Sequence, residues 1–538
     1  MAKPKIPNQK KKYQELNGRL NRYVALVEQI YDTLNLEAAK AVSRTKYSPD
    51  SDKPFKWSDY PQTKKQIDDI QKHFVEDINA TIYRGITEEW KNSNEAQDLI
   101  ANKVLKAYNA QVDKEKYKIL YQTNSDALKA FQNRKDKGFN ISAKLWQQSM
   151  IYKEELEAAI SCAIQKGTSA VTLSKQISKY LLDFPLLQKD YKDRYGSAEH
   201  IQDCEYRSIR LARSEINMAY RTAENERWKQ MDFVVGYEIK LSSSHHSRMP
   251  HGDICDTLAG KYPKDFTWTG WHPNDLCYKV PILKTEEEFW EWDGRSDVST
   301  ESINEVKDVP DEFKKWVLEN HQKIEKAQKR NTLPYFLRDN KSIVQNINTE
   351  NSAKELVNRA SLVGNEVQSL AESIAKKNKG FVTPINYKSI SSITRKVTTE
   401  GITPYDIKDA VRTTIIVPRS QIDQVLNELS ESDSFVRLKR QKPESFMGYS
   451  GNIVNIQTSN GLIAEIQVNT ERMIYAKEKP EDAKRILGEK RWKEIQKQTG
   501  MEGGLGHKYY EEWRVLDKAD KKAQKIVEKS IEYYSHFQ

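Results

Sequence analysis

Hydrophobic spacing changes along this chain, and that change constrains the fold more than any other feature. Up to about residue 231, apolar residues recur at three- and four-residue steps. Leu16, Leu20, Tyr23, Val24, Val27, Ile30, Tyr31 and Leu34 form one such stripe, which predicts amphipathic helix. Ile100–Tyr108, Leu145–Ile164, Val171–Leu182 and Ile209–Met231 read the same way, with breaks at Ser48–Pro54 and Gly167–Ser169. From Val234 onward a two-residue alternation enters, in Val234–Leu241, Val411–Pro418, Phe435–Lys439, Asn452–Thr458 and Leu462–Val468. That period predicts strands. A chain that is helical first and mixed later predicts separate domains, and 538 residues leave room for roughly three at ~100–200 residues each.

Polar stretches at Gly294–Asn304 and Asn340–Asn351 place the main boundary between them. The expected division is a helical region over 1–293, a linker with one helix (Asp311–Lys329) over 294–355, and a third part over 356–538. The expected fold class is multidomain. The N-terminal region is mainly α-helical with a small Cys/His-containing block that includes β-structure. The C-terminal domain is α+β with a mixed sheet. Helices are expected there at Glu366–Lys377, Ile390–Val397 and Ile422–Leu429, with two long closing helices over Glu471–Gln496 and His507–Tyr534. The net charge of +10 divides evenly between 1–360 and 361–538, which favours a solvated mixed surface over a dedicated DNA-binding module. No run approaches the roughly 18–20 apolar residues of a membrane span. The basic start, Met1–Lys12, has no apolar stretch behind it, so no secretory signal is expected. Four cysteines in this length fit a reducing compartment better than a disulfide scaffold.

Two of those cysteines and four of the nine histidines share the window His245–Cys277. Zinc takes four nitrogen or sulfur ligands in a tetrahedron, and His251 or His246 with Cys255, His272 and Cys277 could supply them. A tight aromatic loop with buried thiols and no metal is the competing expectation. The order Arg213-Ser-Glu215, then a strand, then Asp-Ile-Cys255-Asp-Thr-Leu-Ala-Gly260, then His272-Pro-Asn274 resembles the phage Mu-type minor head (head morphogenesis) proteins over about 140–285. Asp275 stands where that family has the first cysteine of its closing string, and Gly252 stands where it has the first cysteine of a pair. The resemblance implies a virion component inside the head near the portal, with portal and capsid proteins and packaged DNA as partners.

In the C-terminal part, Leu462, Ala464, Ile466 and Val468 face one way, and Ile463, Glu465, Gln467 and Asn469 the other. A hairpin through Ser459-Asn-Gly461 would turn Glu465 toward a cleft. A helix ending in Asp406–Asp409 is expected before the strand carrying Arg412. Two carboxylates on adjacent elements suit a Mg²⁺-nucleotide reaction; a polar sheet face in water is the competing expectation.

The order of motifs resembles RelA/SpoT-type (p)ppGpp synthetases over about 364–538. It runs through Lys388–Lys396, Asp…Arg412, Gly448-Tyr449-Ser450, Glu465-Ile-Gln467-Val-Asn-Thr470 and His507. The resemblance implies a nucleotidyltransferase-like domain that moves pyrophosphate from ATP to a nucleotide 3′-hydroxyl. It implies Lys388, Ser392, Arg395 and Lys396 on ATP phosphates, Arg412 at the adenine or phosphates, and Tyr449 against the acceptor base. Lys439, Lys442 and Gln467 would serve the acceptor. Glu465 would be base or Mg²⁺ ligand, with Asp409 or Asp406 as the second ligand. His507 matches the histidine of the closing helix. The chain departs from that family in its aspartate spacing, in Asn386 and in Ile453.

The combined expectation is a phage minor head protein carrying a RelA/SpoT-like effector domain, placed in the virion and acting in host cytoplasm. The alternatives are a purely structural head protein with an inactive nucleotide fold, and a toxin that modifies RNA such as tRNA.

Overall fold

The structure is a computed structural model; it describes residues 4–45, 53–163, 170–291, 302–441, 446–517 and 520–538. The expected breaks at Ser48–Pro54 and Gly167–Ser169 lie largely or wholly outside those residues, as do Lys442 and most of Gly294–Asn304. The chain divides into two compact units, Met1–Lys341 and Ser342–Gln538.

The first unit is built on long helices: α1 (Gln9–Ser43), α2 (Pro61–Ala107), α3 (Ser125–Asn133), α4 (Ile141–Ala163), α5 (Ala170–Leu182), α6 (Phe184–Tyr195) and α7 (Cys204–Gln230). The expected stripe of α1 is buried, with Leu16, Leu20, Val27, Tyr31 and Leu34 almost inaccessible. Glu155 of α4 accepts the backbone N–H of Cys204 at the start of α7, and burial pushes its carboxyl up to about 8. The strands β1 (Val234–Lys240), β2 (Gly260–Tyr262) and β3 (Tyr278–Leu283) form an antiparallel sheet in the order β2–β1–β3.

The segment expected as a linker with one helix is helical over Asp311–Lys329, as two helices, and carries more besides. Its described residues carry α8 (Asp311–Glu319), α9 (His321–Lys329) and α10 (Tyr335–Arg338). Phe313 of α8 is fully buried, with its ring 5.3 Å from Phe266, and Phe336 lies 5.1 Å from Trp271. Sparse apolar residues hid this, because each is a large aromatic covering much area alone. Asn340–Asn351 is also helical: α11 spans Lys341–Lys377.

The second unit is α+β, with β4 (Phe381–Val382), β5 (Asn386–Tyr387), α12 (Ile390–Glu400), β6 (Val411–Ile416), α13 (Ile422–Ser430), β7 (Phe435–Arg440), β8 (Asn452–Gln457) and β9 (Ile463–Asn469). The sheet runs β4–β6–β9–β8–β7, with β5 also on β6. It is mixed, because β6 and β9 are parallel while the other pairs are antiparallel. One face packs on α11, α12 and α13 through Val454, Ile456, Ala464, Ile466 and Val468. The β8–β9 turn uses Gly461 at φ +80°, a left-handed conformation suited to glycine. The two expected closing helices are five shorter ones: α14 (Glu471–Lys477), α15 (Pro480–Leu487), α16 (Glu489–Thr499), α17 (Leu505–Arg514) and α18 (Lys521–Ser535). Pro480 starts one and Gly488, at φ +80°, ends it, so helical periodicity ran across real breaks. No helix among the described residues is long and apolar enough to cross a membrane.

Candidate functional site

Strand pairing in the second unit lines up a polar row. Ala464, Ile466 and Val468 fill the core, which leaves Glu465, Gln467 and Asn469 on the other face of β9. In register, Glu465 lies opposite Arg412 on one side and Asn455 on the other. Arg412 in turn lies opposite Asn386, and Asn455 opposite Arg437. Asn386, Arg412, Glu465, Asn455 and Arg437 thus form one row across five strands. Arg437 donates to Asn455 Oδ1 from Nε and NH2 at 3.2 and 2.9 Å, and Gln467 Nε2 donates to Glu465 Oε1 at 2.6 Å.

Lys477, at the end of α14, closes this row from outside the sheet. Its Nζ donates to Gln467 Oε1 at 3.0 Å, pairs with Glu478 at 3.2 Å and stands 5.4 Å from the Tyr449 ring centroid. Burial pulls its pKa down, but Tyr449 and Glu478 outweigh that and hold it above the usual lysine value. Tyr449 is further fixed by Asn469, whose Nδ2 donates to its hydroxyl at 2.9 Å. Before it, Gly448 has φ +79°, and a Cβ there would sit 2.7 Å from Ile531 Cα. Glycine is what lets the Tyr449 loop pass under α18.

A second cluster joins the row through the chain entering β6. Asp409 accepts from Lys388 Nζ at 2.5 Å and from Lys396 Nζ at 3.3 Å. Burial raises its carboxyl, but the two lysines prevail and hold it below the usual range. Lys388 leaves β5, its N–H bonded to Ala410 O at 2.9 Å. Lys396 lies one turn along α12 from Ser392, whose hydroxyl accepts from Ser389 Oγ at 2.9 Å. Arg395 is exposed on the same helix. Past Asn469 the strands open on a cavity of about 740 Å³, lined in part by Arg419, Arg440, Arg472 and Arg491.

Other expected residues stand apart. Asp406 is not on a helix end beside the site. It lies in a single 3₁₀ turn, Pro404–Asp406, where one oxygen of its exposed carboxylate accepts from Thr403 N and Oγ1 at 2.9 and 2.7 Å. His507 lines a different, open pocket with Lys479, Glu502 and Glu511. Lys439 is exposed on β7, opposite Ile453. Lys477, Asn455 and Arg437 went unnoticed in the sequence. Strand alternation could have flagged the last two, whereas Lys477 carries no local signal.

In the first unit, the Cys/His block is tied to α7 by buried Arg221, which donates to the carbonyls of Thr269, Asp275 and Cys277 at 3.1, 2.8 and 2.8 Å. Asp275 accepts the N–H groups of Trp271 and Cys277 at 2.8 and 2.7 Å. It therefore organises the loop. Cys255 and Cys277 are buried free thiols. Cys255 Sγ lies 3.2 Å from His272 Nε2. His251 is exposed and outside the cluster; the histidine grouped with both thiols is buried His245. The short helix His245–Arg248 turns that ring inward.

No family model matches the chain. It is 38% identical over 170 residues to the (p)ppApp synthetase toxin Tas1 of Pseudomonas aeruginosa (strain UCBPP-PA14). The match takes in 31% of this chain, and the chain spans 38% of that protein's length. This similarity supports the RelA/SpoT-like reading of the C-terminal domain. Among solved structures, the chain is similar to one in the complex between the Type VI effector Tas1 and its immunity protein. The identity is 34%, over 35% of this chain and 96% of that one, with a TM-score of 0.33. It is also similar to small alarmone synthetase 1 from Bacillus subtilis, at 18% identity over 34% and 92% of the two chains, with a TM-score of 0.23. None of these is a head protein, and nothing in them supports the resemblance over 140–285.

Proposed function

We propose that the second unit transfers pyrophosphate from ATP to the 3′-hydroxyl of an adenosine nucleotide, as the effector part of a toxin. The row that sets Glu465 in register with Arg412, beside the Lys388–Asp409–Lys396 cluster, carries this reading. In the proposed reaction the acceptor 3′-oxygen attacks the β-phosphorus of ATP, the bond to the α-phosphate oxygen breaks, and AMP leaves. Glu465 takes the hydroxyl proton, since Gln467 occupies only one of its oxygens. Arg412, Lys388, Lys396 and Arg395 offset phosphate charge. Tyr449 offers an aromatic face to the acceptor base, held in place by Asn469 and Lys477.

Mg²⁺ suits the donor set, because Asp409 and Glu465 offer hard carboxylate oxygens. It would supply charge compensation on the phosphates. Asp409 could ligate it only by releasing a lysine, which the triphosphate would then take up.

The adenosine acceptor follows the relative's description. An immunity-type protein as the partner of this unit follows the solved Tas1 complex instead. Residence in a virion, with portal and capsid contacts, stands on the resemblance over 140–285 alone.

The test is thin-layer chromatography of the full chain with γ-labelled ATP and AMP, ADP, GDP, GTP or tRNA as acceptor. Label on AMP or ADP is the expected result. Label on guanosine nucleotides or tRNA would reassign the acceptor, and absence of any transfer would return the unit to a structural role.

A further inference from the structure

The first unit holds a side-chain cluster that the proposed reaction does not use. Between β1 and β3, residues 241–277 contain only two helices of four and five residues and one three-residue strand. Into this sparse region converge two buried thiols, two imidazoles and a carboxylate. A ring nitrogen of His245 and the sulfurs of Cys255 and Cys277 lie within 4.8 Å of one another, and so do ligand atoms of Asp253, Cys255 and His272. The two triads share Cys255. Asp253 also links them, at 3.2 Å from His272 Nε2 and 3.7 Å from His245 Nε2.

The hydrogen bonding of His272 is the informative detail. Its Nδ1 lies 2.7 Å from the Pro273 carbonyl, which can only accept, so Nδ1 carries the proton. In the neutral ring, Nε2 is then a bare lone pair. It faces a carboxylate oxygen of Asp253 at 3.2 Å and the Cys255 sulfur at 3.2 Å. The Cys255 S–H can donate to only one of the two acceptors, Nε2 or the carboxylate oxygen, and a cation in place of that proton would serve both. A backbone carbonyl on the distal nitrogen is also how proteins orient a metal-binding histidine. His245 is steadied in the same manner by the Asp256 carboxylate, 2.8 Å from its Nε2. A tetrahedral zinc ion, with Zn–S near 2.3 Å and Zn–N near 2.0 Å, would space its ligand atoms by about 3.5 Å. Within each triad the ligand atoms lie no more than 4.8 Å apart, and the shared Cys255 sulfur lies 3.2 Å from His272 Nε2, so closing one tetrahedron asks for a small inward shift of His272 toward His245 and Cys277.

We propose that Cys255, Cys277, His245 and His272, with Asp253 beside them, bind a structural zinc-class ion that staples the loops of 241–277 to one another. Binding exchanges two thiol protons for the dication: Zn²⁺ and two S–H groups give a neutral dithiolate site and two released protons. The ligand set differs from the one legible in the sequence, with His245 in place of His251.

The full chain, purified anaerobically without chelator, should retain about one zinc ion per chain through gel filtration. Cys255→Ser, Cys277→Ser and His245→Gln should each lose most of it, while His251→Gln should not. Should the serine variants fail to fold, cobalt exchange into the unaltered protein gives the same reading through thiolate-to-cobalt charge-transfer absorption. Folded protein holding less than about a tenth of an ion per chain after zinc loading and dialysis, or lacking that absorption, overturns the proposal. So does a Cys255–Cys277 disulfide in the anaerobic preparation, or zinc that is lost in His251→Gln and kept in His245→Gln.

Discussion

Glu465→Gln separates catalysis from folding at one atom. The substitution keeps the shape and removes the charge. Glu465 is half-buried, accepts one hydrogen bond from Gln467 and lies in register with Arg412. A glutamine carbonyl still accepts that bond. What is lost is attraction between Glu465 and Arg412, about 0.2–1 kcal/mol for a cross-strand pair of opposite charge. At roughly 2–4 °C per kcal/mol for a unit of this size, Tm should fall by less than about 4 °C. Removing a general base costs about 10²–10⁴ in rate, equivalent to ~3–5 kcal/mol at ~1.4 kcal/mol per tenfold. The rate effect therefore exceeds the stability effect several-fold. Initial rates of label transfer, divided by the folded fraction from a thermal melt, give the comparison. Activity per folded molecule within about threefold of the parent, or a melt lowered by more than about 10 °C, would show that Glu465 serves the sheet and not the chemistry.

Asp409→Asn leaves Lys388 and Lys396 facing each other without their carboxylate, and should cost about 2 kcal/mol at pH 7 by urea unfolding. Because the folded carboxyl titrates below its ordinary value of 3.8, this contribution is present above that pH. The gap between variant and parent should close as pH falls below about 4. Glu155 has the opposite sign. Its folded pKa of about 8 against an ordinary 4.5 means that the fold holds a proton the unfolded chain releases. Stability of the first unit should therefore fall with rising pH across that window, by up to about 1.4 kcal/mol per pH unit. Glu155→Gln should flatten that slope, leaving the share from Glu205, which burial pushes to about 7; parallel slopes for variant and parent would refute the assignment. Gly448→Ala forces a left-handed residue against Ile531 and should destabilise by about 1–3 kcal/mol. It should also raise KM for the acceptor more than it lowers kcat.

What was legible in the sequence is what local period encodes. The alternation of 462–469 placed Glu465 and Gln467 on one face, and the Ser459–Gly461 turn was plain from its residues. The partners of that face depend on register between strands tens of residues apart, which no local pattern carries, so Asn455, Arg437 and Lys477 stayed hidden. Asp406 and Asp409 could not be told apart by spacing. The structure sets them apart by their neighbours: Asp409 pairs with Lys388 and Lys396, whereas Asp406 is exposed and bonds Thr403. His245 and His251 differ likewise only through a short helix. Within 302–341 a helix over Asp311–Lys329 was legible, but its packing was not, because its few aromatics bury area out of proportion to their number.

The parallel pairing of β6 with β9 also bears on when this unit can act. Arg412 and Glu465 meet only after β7, β8 and their turn have been made, so the central pair closes a loop of more than fifty residues. Such non-local pairings come late in folding. Synthesis or threading that has passed residue 412 but not 465 leaves the lysine cluster formable and the row incomplete. The row is complete only once the last central strand has paired, and halves separated by a nick within 413–462 each lack a part of it.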